Sequence, residues 1–332
     1  MKINRREAVL GMSSSLLVGG CATTSLNPDG YSNEVFAHGV ASGDPGTTSV
    51  VLWTRVSGSQ GNVPVLWAVA DNPDFRRPVA TGSLTTNADR DYTAKAVATG
   101  LEPGKRYYYR FRASGTESPT GRTRTLPIGR VDKLVIAAVS CSNYPFGYFN
   151  AYEAVADDPE VDVVVHLGDY IYEYSEDGYG GEAGKRLGRI HDPRHEMVSL
   201  EDYRRRHAQY KTDRGSLAMH AMHPLIHTWD DHESTNNPWK DGAQNHQPEE
   251  GDWEARRARS LQAYYEWMPS REPSDRRPEE RWDHFKFGDL ASLYTLESRH
   301  TARSEQINLA DYREQMTSPE AAQEIYDRSH RT

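Results

Sequence analysis

Two stretches of this chain end an apolar run on a cluster of oxygen donors: VDVVVHLGDYIYE at 161–173 and IHTWDDHESTNN at 226–237. If each apolar run is a buried strand, Asp169 and Asp231 leave neighbouring strand ends side by side. Carboxylates placed in this way can share two cations about 3.5–4 Å apart, which activate a water and neutralise the oxygens of a phosphate ester. Gly168 lets the backbone turn sharply as it leaves the strand for Asp169. Alone, a Gly-Asp pair is also what a turn cap looks like, and DDHE is also a helix cap. The recurrence of the pattern one unit later points to chemistry.

Other donors strengthen the pattern. Cys141 ends the preceding apolar run, DKLVIAAVSCSNY, and a thiolate there is a soft metal ligand. Tyr172 follows Asp169 by three residues and in a tight turn returns to the same cation, although read alone it is equally a packed aromatic. Thiolate, phenolate and carboxylate together favour a trivalent metal, which points to ferric iron rather than zinc. In the second cluster, His232 is suited to contact a phosphoryl oxygen or to protonate the departing alkoxide. Asn236 and Asn237 stand within reach as neutral oxygen ligands or phosphate contacts.

The elements that must position these groups are legible around them. DKLVIAAVSCSNY, FGYFNAYEAVADD and VDVVVHLGDY read as strand, helix and strand, a parallel β-α-β unit that delivers functional groups at the strands' carboxyl ends. PLIHTWDD supplies a third strand. Helical text runs over 200–220 and 252–268, a hairpin falls in FKFGDLASLYTLESR, and the Gly-rich insertion 175–195 reads as a loop arching over the site. Upstream, TSVVLWTRV, VPVLWAVA, AKAVATG and KRYYYRFRA have the spacing of a small sandwich. LEPGKRYYYRF resembles the corner of an immunoglobulin or fibronectin III-like domain, in which a tyrosine hydroxyl pins the incoming loop. Trp53, Trp67, Tyr107 and Tyr109 are assigned to its core. The fold class is therefore mixed: an N-terminal β-sandwich over 34–127, then an α/β layered domain over 128–332.

The formal charge of −9 argues against a nucleic acid as the main partner. The basic run Arg204, Arg205 and Arg206 reads as the solvated face of a helix. Residues 1–33 read as an export signal and linker: a basic start with twin Arg5 and Arg6, a short apolar stretch and small residues before Cys21. The chain is thus expected in the periplasm or cell envelope. VGGC resembles a lipobox, so either Cys21 is lipidated and anchors the protein to a membrane, or the signal is cleaved without a lipid. Either way Cys141 is left without a disulfide partner.

VSCS, HLGDYIYE, DYRRRHAQYKTD and TWDDHESTNN, in this order behind FAHGVASGDPGTTSVVLWTRV, resemble the PhoD-type alkaline phosphatases, also called PhoD-like metallophosphatases. The resemblance implies hydrolysis of phosphate monoesters and diesters, twin-arginine export and a metallophosphatase layering of the second domain. It implies ferric iron on Cys141, Asp169 and Tyr172, calcium on Asp169 and Asp231, a phosphate contact from His232 and a substrate contact from Asn237. Two departures accompany it. Leu296-Glu297-Ser298-Arg299 stands where the family has Asp-Thr-Arg, and no Gly-Asp-x-His motif follows, with His284, His300 and His330 outside any such motif. The expectation is a chain truncated at its C-terminus, with weak or absent phosphatase activity alone. The rival expectation is an exported binding protein with an impaired catalytic half.

Overall fold

The computed structural model of the chain describes residues 30–274, 276–306, 312–313 and 315–329. Arg5, Arg6, Cys21 and His330 lie outside the described residues. Strands β1 (Val40–Gly43), β2 (Ser49–Arg55), β3 (Val63–Ala70), β4 (Ala80–Thr86), β5 (Thr93–Thr99), β6 (Arg106–Ala113), β7 (Thr116–Glu117) and β8 (Gly121–Arg124) make up the N-terminal region. Strands β9 (Ile136–Val139), β10 (Val163–His166) and β11 (Pro224–His227) follow, and then the short pair β12 (Pro238–Trp239) and β13 (Gly242–Ala243). Asp283–Phe287 and Ala291–Thr295 close the hairpin β14–β15.

The four strands read upstream are β2, β3, β5 and β6, and an apolar core joins them: Val50 and Leu52, Val65 and Val69, Ala94 and Ala98, Tyr107, Tyr109 and Phe111. Each fully buried side chain of Val or Leu size contributes about 1.5–3 kcal/mol by leaving water. The hydroxyl of Tyr107 accepts from the Glu102 backbone N–H at 2.8 Å, the corner contact expected of LEPGKRYYYRF. Tyr107 and Tyr109 are buried in this core and Trp67 packs on it only partly covered, over Gly82, whereas Trp53, also read as part of it, points to the opposite face of β2 and is buried against Trp267, 5.7 Å away.

The sheets do not respect the boundary read at 127. One runs β4-β3-β6-β7, with β8 also on β6. The other has the order β5-β2-β1-β11-β10-β9, so strands from both sides of the boundary share one hydrogen-bonded sheet. β1 pairs parallel with β11, Ser42 opposite Pro224, while β9, β10 and β11 are mutually parallel. β1 was not legible as a strand, because VASG is short and ends in glycine.

The helices are α1 (Asn150–Asp157), α2 (Gly181–Leu187), α3 (Leu200–Lys211), α4 (Arg214–Met222), α5 (Trp253–Trp267) and α6 (Pro319–Ser329). Two expectations are corrected here. The segment 175–195 contains α2 between two left-handed glycines, Gly180 and Gly188, rather than loop alone. The helical text at 200–220 is two helices, because Asp213 turns its carboxylate to the Gly215 N–H and caps a new start. α3 begins on a capping box between Ser199 and Asp202.

The basic run on α3 is also corrected. Arg206 is fully buried and donates to the carbonyls of Tyr172, Tyr174, Asp192 and Pro193, and Arg204 makes a two-pronged contact with Glu266. Only Arg205 is exposed. Arg206 therefore clamps the chain just after Tyr172 to α3, and the helix face read as solvated is a structural support of the site.

Candidate metal centre

The parallel strands β9, β10 and β11 end level with one another, and each hands its chain to a loop that carries a donor. Their register is tied beyond the ladder: the Cys141 N–H donates to the Gly168 carbonyl at 3.2 Å and the Ser142 N–H to the Asp169 carbonyl at 3.0 Å. Cys141 and Asp169 both adopt left-handed backbone, φ 58° and 53°, which only a strongly held turn sustains in residues with a Cβ. Gly168 has φ +106°, and a Cβ on it would lie 2.3 Å from the Asp230 backbone nitrogen. The two donor loops touch at this glycine.

The donors converge as read from the sequence. One ligand atom from each of Asp169, Asp231 and His232 lies within 4.8 Å of the others. On the other side of Asp169, the Cys141 thiol approaches Oδ2 at 3.4 Å and the Tyr172 hydroxyl donates to the same oxygen at 3.1 Å. Among the described residues Cys141 has no disulfide partner, and it is exposed. The other carboxylate oxygen, Asp169 Oδ1, is buried without a hydrogen-bond partner among the described residues. A buried, unsatisfied carboxylate oxygen is costly. Bound cations would satisfy it, so the residues present fit a metal centre. Asn237 comes to the site through its backbone: its N–H donates to Asp231 Oδ2 at 2.9 Å, while its side chain engages Gln244 and Gln306.

The electrostatics match a site built to receive positive charge. Burial pushes the Asp169 carboxyl above its usual range and Asp231 and Asp230 add to the effect, against His232. Burial also raises the Tyr172 phenol and the Cys141 thiol, and Asp169 beside them adds to both. A bound cation reverses this logic by favouring each anionic form. For Asp231, burial is outweighed by His232, the Asn237 N–H and Arg299, which hold it below the usual range.

His232 is held in one orientation. Its ring stacks on Tyr172 at 4.3 Å between centroids, and Nδ1 meets Glu173 at 2.7 Å. Burial alone would lower its pKa, but Glu173, Asp231 and Asp169 raise it to about 9. The imidazolium therefore directs Nε2 into the cluster, 4.0 Å from Asp231.

Several supporting residues were not assigned from sequence. Glu173 is completely buried and accepts from the Asn236 N–H at 2.7 Å and the Asn245 amide at 2.8 Å as well as from His232. Glu233 accepts from the backbone N–H groups of Tyr170 at 2.6 Å and Asp230 at 2.9 Å, which binds the two donor loops together. Burial and then the Asp169 charge raise its pKa to about 8. Arg299 donates to Asp230 at 2.7 Å and lies 3.5 Å from Asp231. Glu297 accepts from the N–H groups of Arg299, His300 and Thr301, so the departing Leu-Glu-Ser-Arg segment folds as a turn that presents Arg299. The position of the acids inside conspicuous motifs was the available signal; that of Arg299 came only with the folded turn.

Comparison with known proteins agrees with this architecture. The family model described as PhoD-like phosphatase matches residues 136–329, and that described as PhoD-like phosphatase, N-terminal domain, matches residues 20–127. The chain is 40% identical over 319 residues to alkaline phosphatase D of Bacillus subtilis (strain 168), covering 90% of this chain and 53% of that protein. A solved structure described as PhoD superposes with a TM-score of 0.76 at 40% identity, covering 83% of this chain and 54% of that one. The chain thus spans about half the length of the relatives it matches.

Proposed function

The chain belongs to the PhoD-like phosphatase family, and we propose that its centre hydrolyses phosphate monoesters and diesters in the manner of an alkaline phosphatase D. The observation that supports this reading is the convergence of Asp169, Asp231 and His232 at the ends of neighbouring parallel strands. Cys141, Asp169 and Tyr172 would hold ferric iron, and Asp169 and Asp231 calcium. The cations, when bound, would supply an activated water and neutralise the phosphoryl oxygens. His232, oriented by Glu173, would donate a proton toward the phosphoryl oxygen or the departing alkoxide. Arg299 restrains Asp230 and Asp231, and the Asn237 N–H fixes the orientation of the Asp231 carboxylate.

The same reading places the protein in the cell envelope after twin-arginine export, supported by Arg5, Arg6 and the lipobox-like Cys21. It takes the N-terminal strands as an immunoglobulin or fibronectin III-like sandwich, supported by the Tyr107 corner. Among the described residues no helix is long and apolar enough to cross a membrane.

The test is p-nitrophenyl phosphate hydrolysis by the purified chain, with iron and calcium measured on the same preparation. Weak metal-dependent turnover is expected of this chain by itself, falling at least about 100-fold in Asp169→Asn, since even partners of metal ligands cost 10–100-fold. A folded protein that takes up neither metal, or turnover indifferent to Asp169→Asn, would count against the hydrolytic reading and favour a binding protein.

A further inference from the structure

The insertion 175–195 returns toward the centre with a specific face. Its turn is docked on the loop after β9: the Asn143 amide approaches the Tyr179 carbonyl at 3.5 Å, and Gly180 sits so close that a Cβ there would be 3.2 Å from the Phe146 ring. This docking sets an aromatic run. Tyr174 lies 5.3 Å from the His232 ring, Tyr179 lies 5.8 Å from Tyr174 and 6.4 Å from Tyr172, and Phe146 lies 5.0 Å from Tyr179.

The inner end of the run is buried against the metal ligands, since Tyr172 donates to Asp169. The outer end is open, with Tyr179 58% and Phe146 50% exposed. Large aromatic side chains exposed in contact with each other forgo the burial that ordinarily stabilises them. Here they begin within two ring contacts of the imidazole that faces the reacting phosphate. A phosphate seated at the centre would carry its ester oxygen out past His232 and along this wall, so the occupant is the alcohol portion of the substrate.

Resting on the hydrolytic reading, we propose that Tyr179 and Phe146 form a leaving-group subsite that selects phosphate esters whose alcohol carries a flat aromatic ring. The ring packs by offset or edge contact against Tyr179, with Phe146 extending the surface. Aliphatic alcohols of similar size fill less of this wall and gain less from it. Tyr179 and Phe146 are specificity determinants.

The experiment compares the full chain with Tyr179→Ala, Phe146→Ala and Tyr179→Phe. kcat/KM is measured for phenyl phosphate and glycerol 3-phosphate, and binding of phenylphosphonate and methylphosphonate by calorimetry on the metal-loaded protein. In Tyr179→Ala the phenyl-to-glycerol ratio of kcat/KM and the phenyl-to-methyl ratio of phosphonate affinities should each fall roughly tenfold, with the aliphatic members unchanged. Tyr179→Phe should restore both ratios. Loss of turnover equal for the two esters overturns the subsite and leaves the hydrolytic reading standing. Selective loss of phenylphosphonate affinity without turnover of any ester keeps the subsite and overturns hydrolysis. An unsubstituted protein with no preference for phenylphosphonate overturns the subsite outright.

Discussion

Gly168→Ala tests whether the two donor loops must touch. The added Cβ would stand 2.3 Å from the Asp230 nitrogen and 2.6 Å from the Asp230 Cβ, with φ +106° at its own residue. The first of these contacts is about 1 Å short of ordinary van der Waals distance. The obstacle is backbone, so it cannot swing aside, and the loops carrying Asp169 and Asp231 must separate by a comparable amount. A misplacement of about 1 Å can cost roughly 10²-fold in reactivity, and disturbed support of a metal ligand costs about 10–100-fold in metal affinity. The left-handed conformation adds a stability cost of at least about 1–2 kcal/mol. Gly188→Ala is the matched control: φ is +69°, with nothing within 4 Å of its Cβ. It should lose about 1 kcal/mol and keep its metals. Metal affinities by competition with a chelator, alongside urea unfolding, separate the two effects. Equal metal affinity in the two variants would refute the reasoning.

Other perturbations follow from buried charge. Arg206→Met strands four backbone carbonyls in the interior, and should cost about 3 kcal/mol or more in urea unfolding; a loss under about 1 kcal/mol would show that Arg206 is not the clamp described. In the metal-free protein, NMR titration of His232 should give a midpoint near 9, falling clearly in Glu173→Gln, which removes the first-named of the groups that raise it. Because the folded value lies above the unfolded 6.5, the stabilisation from His232 is complete below 6.5 and lost as pH rises through about 9, and Glu173→Gln should reduce that decline. Lys211 is buried and, among the described residues, meets the Tyr170 hydroxyl at 3.0 Å and His220 at 3.1 Å as its hydrogen-bonding contacts, and burial holds its pKa well below 10.5. The unfolded chain then binds the extra proton, so stability rises with pH toward 10.5. The advantage of Lys211→Met in melting temperature should therefore be greatest at pH 6 and shrink toward pH 9; an advantage constant across this range would show a Lys211 that keeps its proton.

The legibility of the site in the sequence was uneven for physical reasons. Val163–His166 and Pro224–His227 are buried throughout, so their apolar runs announce strands and the donors after them announce a site. Pairing partners leave no such local trace. Nothing in VASG indicates that it lies between β2 and β11, so the sheet crossing residue 127 was invisible. Charged residues mislead in the opposite direction: in RRR at 204–206 composition favours water, yet Arg206 is buried because the carbonyls it meets come from segments 13 to 34 residues away. Glu173 and Glu233 sat in plain view inside the motifs, but their roles depend on backbone N–H groups that only the folded loops bring together.

The pairing of β1 with β11 also has a kinetic side. Ser42 and Pro224 are separated by roughly 180 residues. During synthesis at about 5–20 residues per second, β1 waits on the order of 10–40 s for its parallel neighbour to emerge. Until then its edge stays an open template for strand addition, and β10 lacks the neighbour that sets Asp169 against Asp231. Completion of the sheet whose strand ends set Asp169 against Asp231 is thus a late, non-local step, even though the pairings among β1–β8 need nothing beyond residue 124.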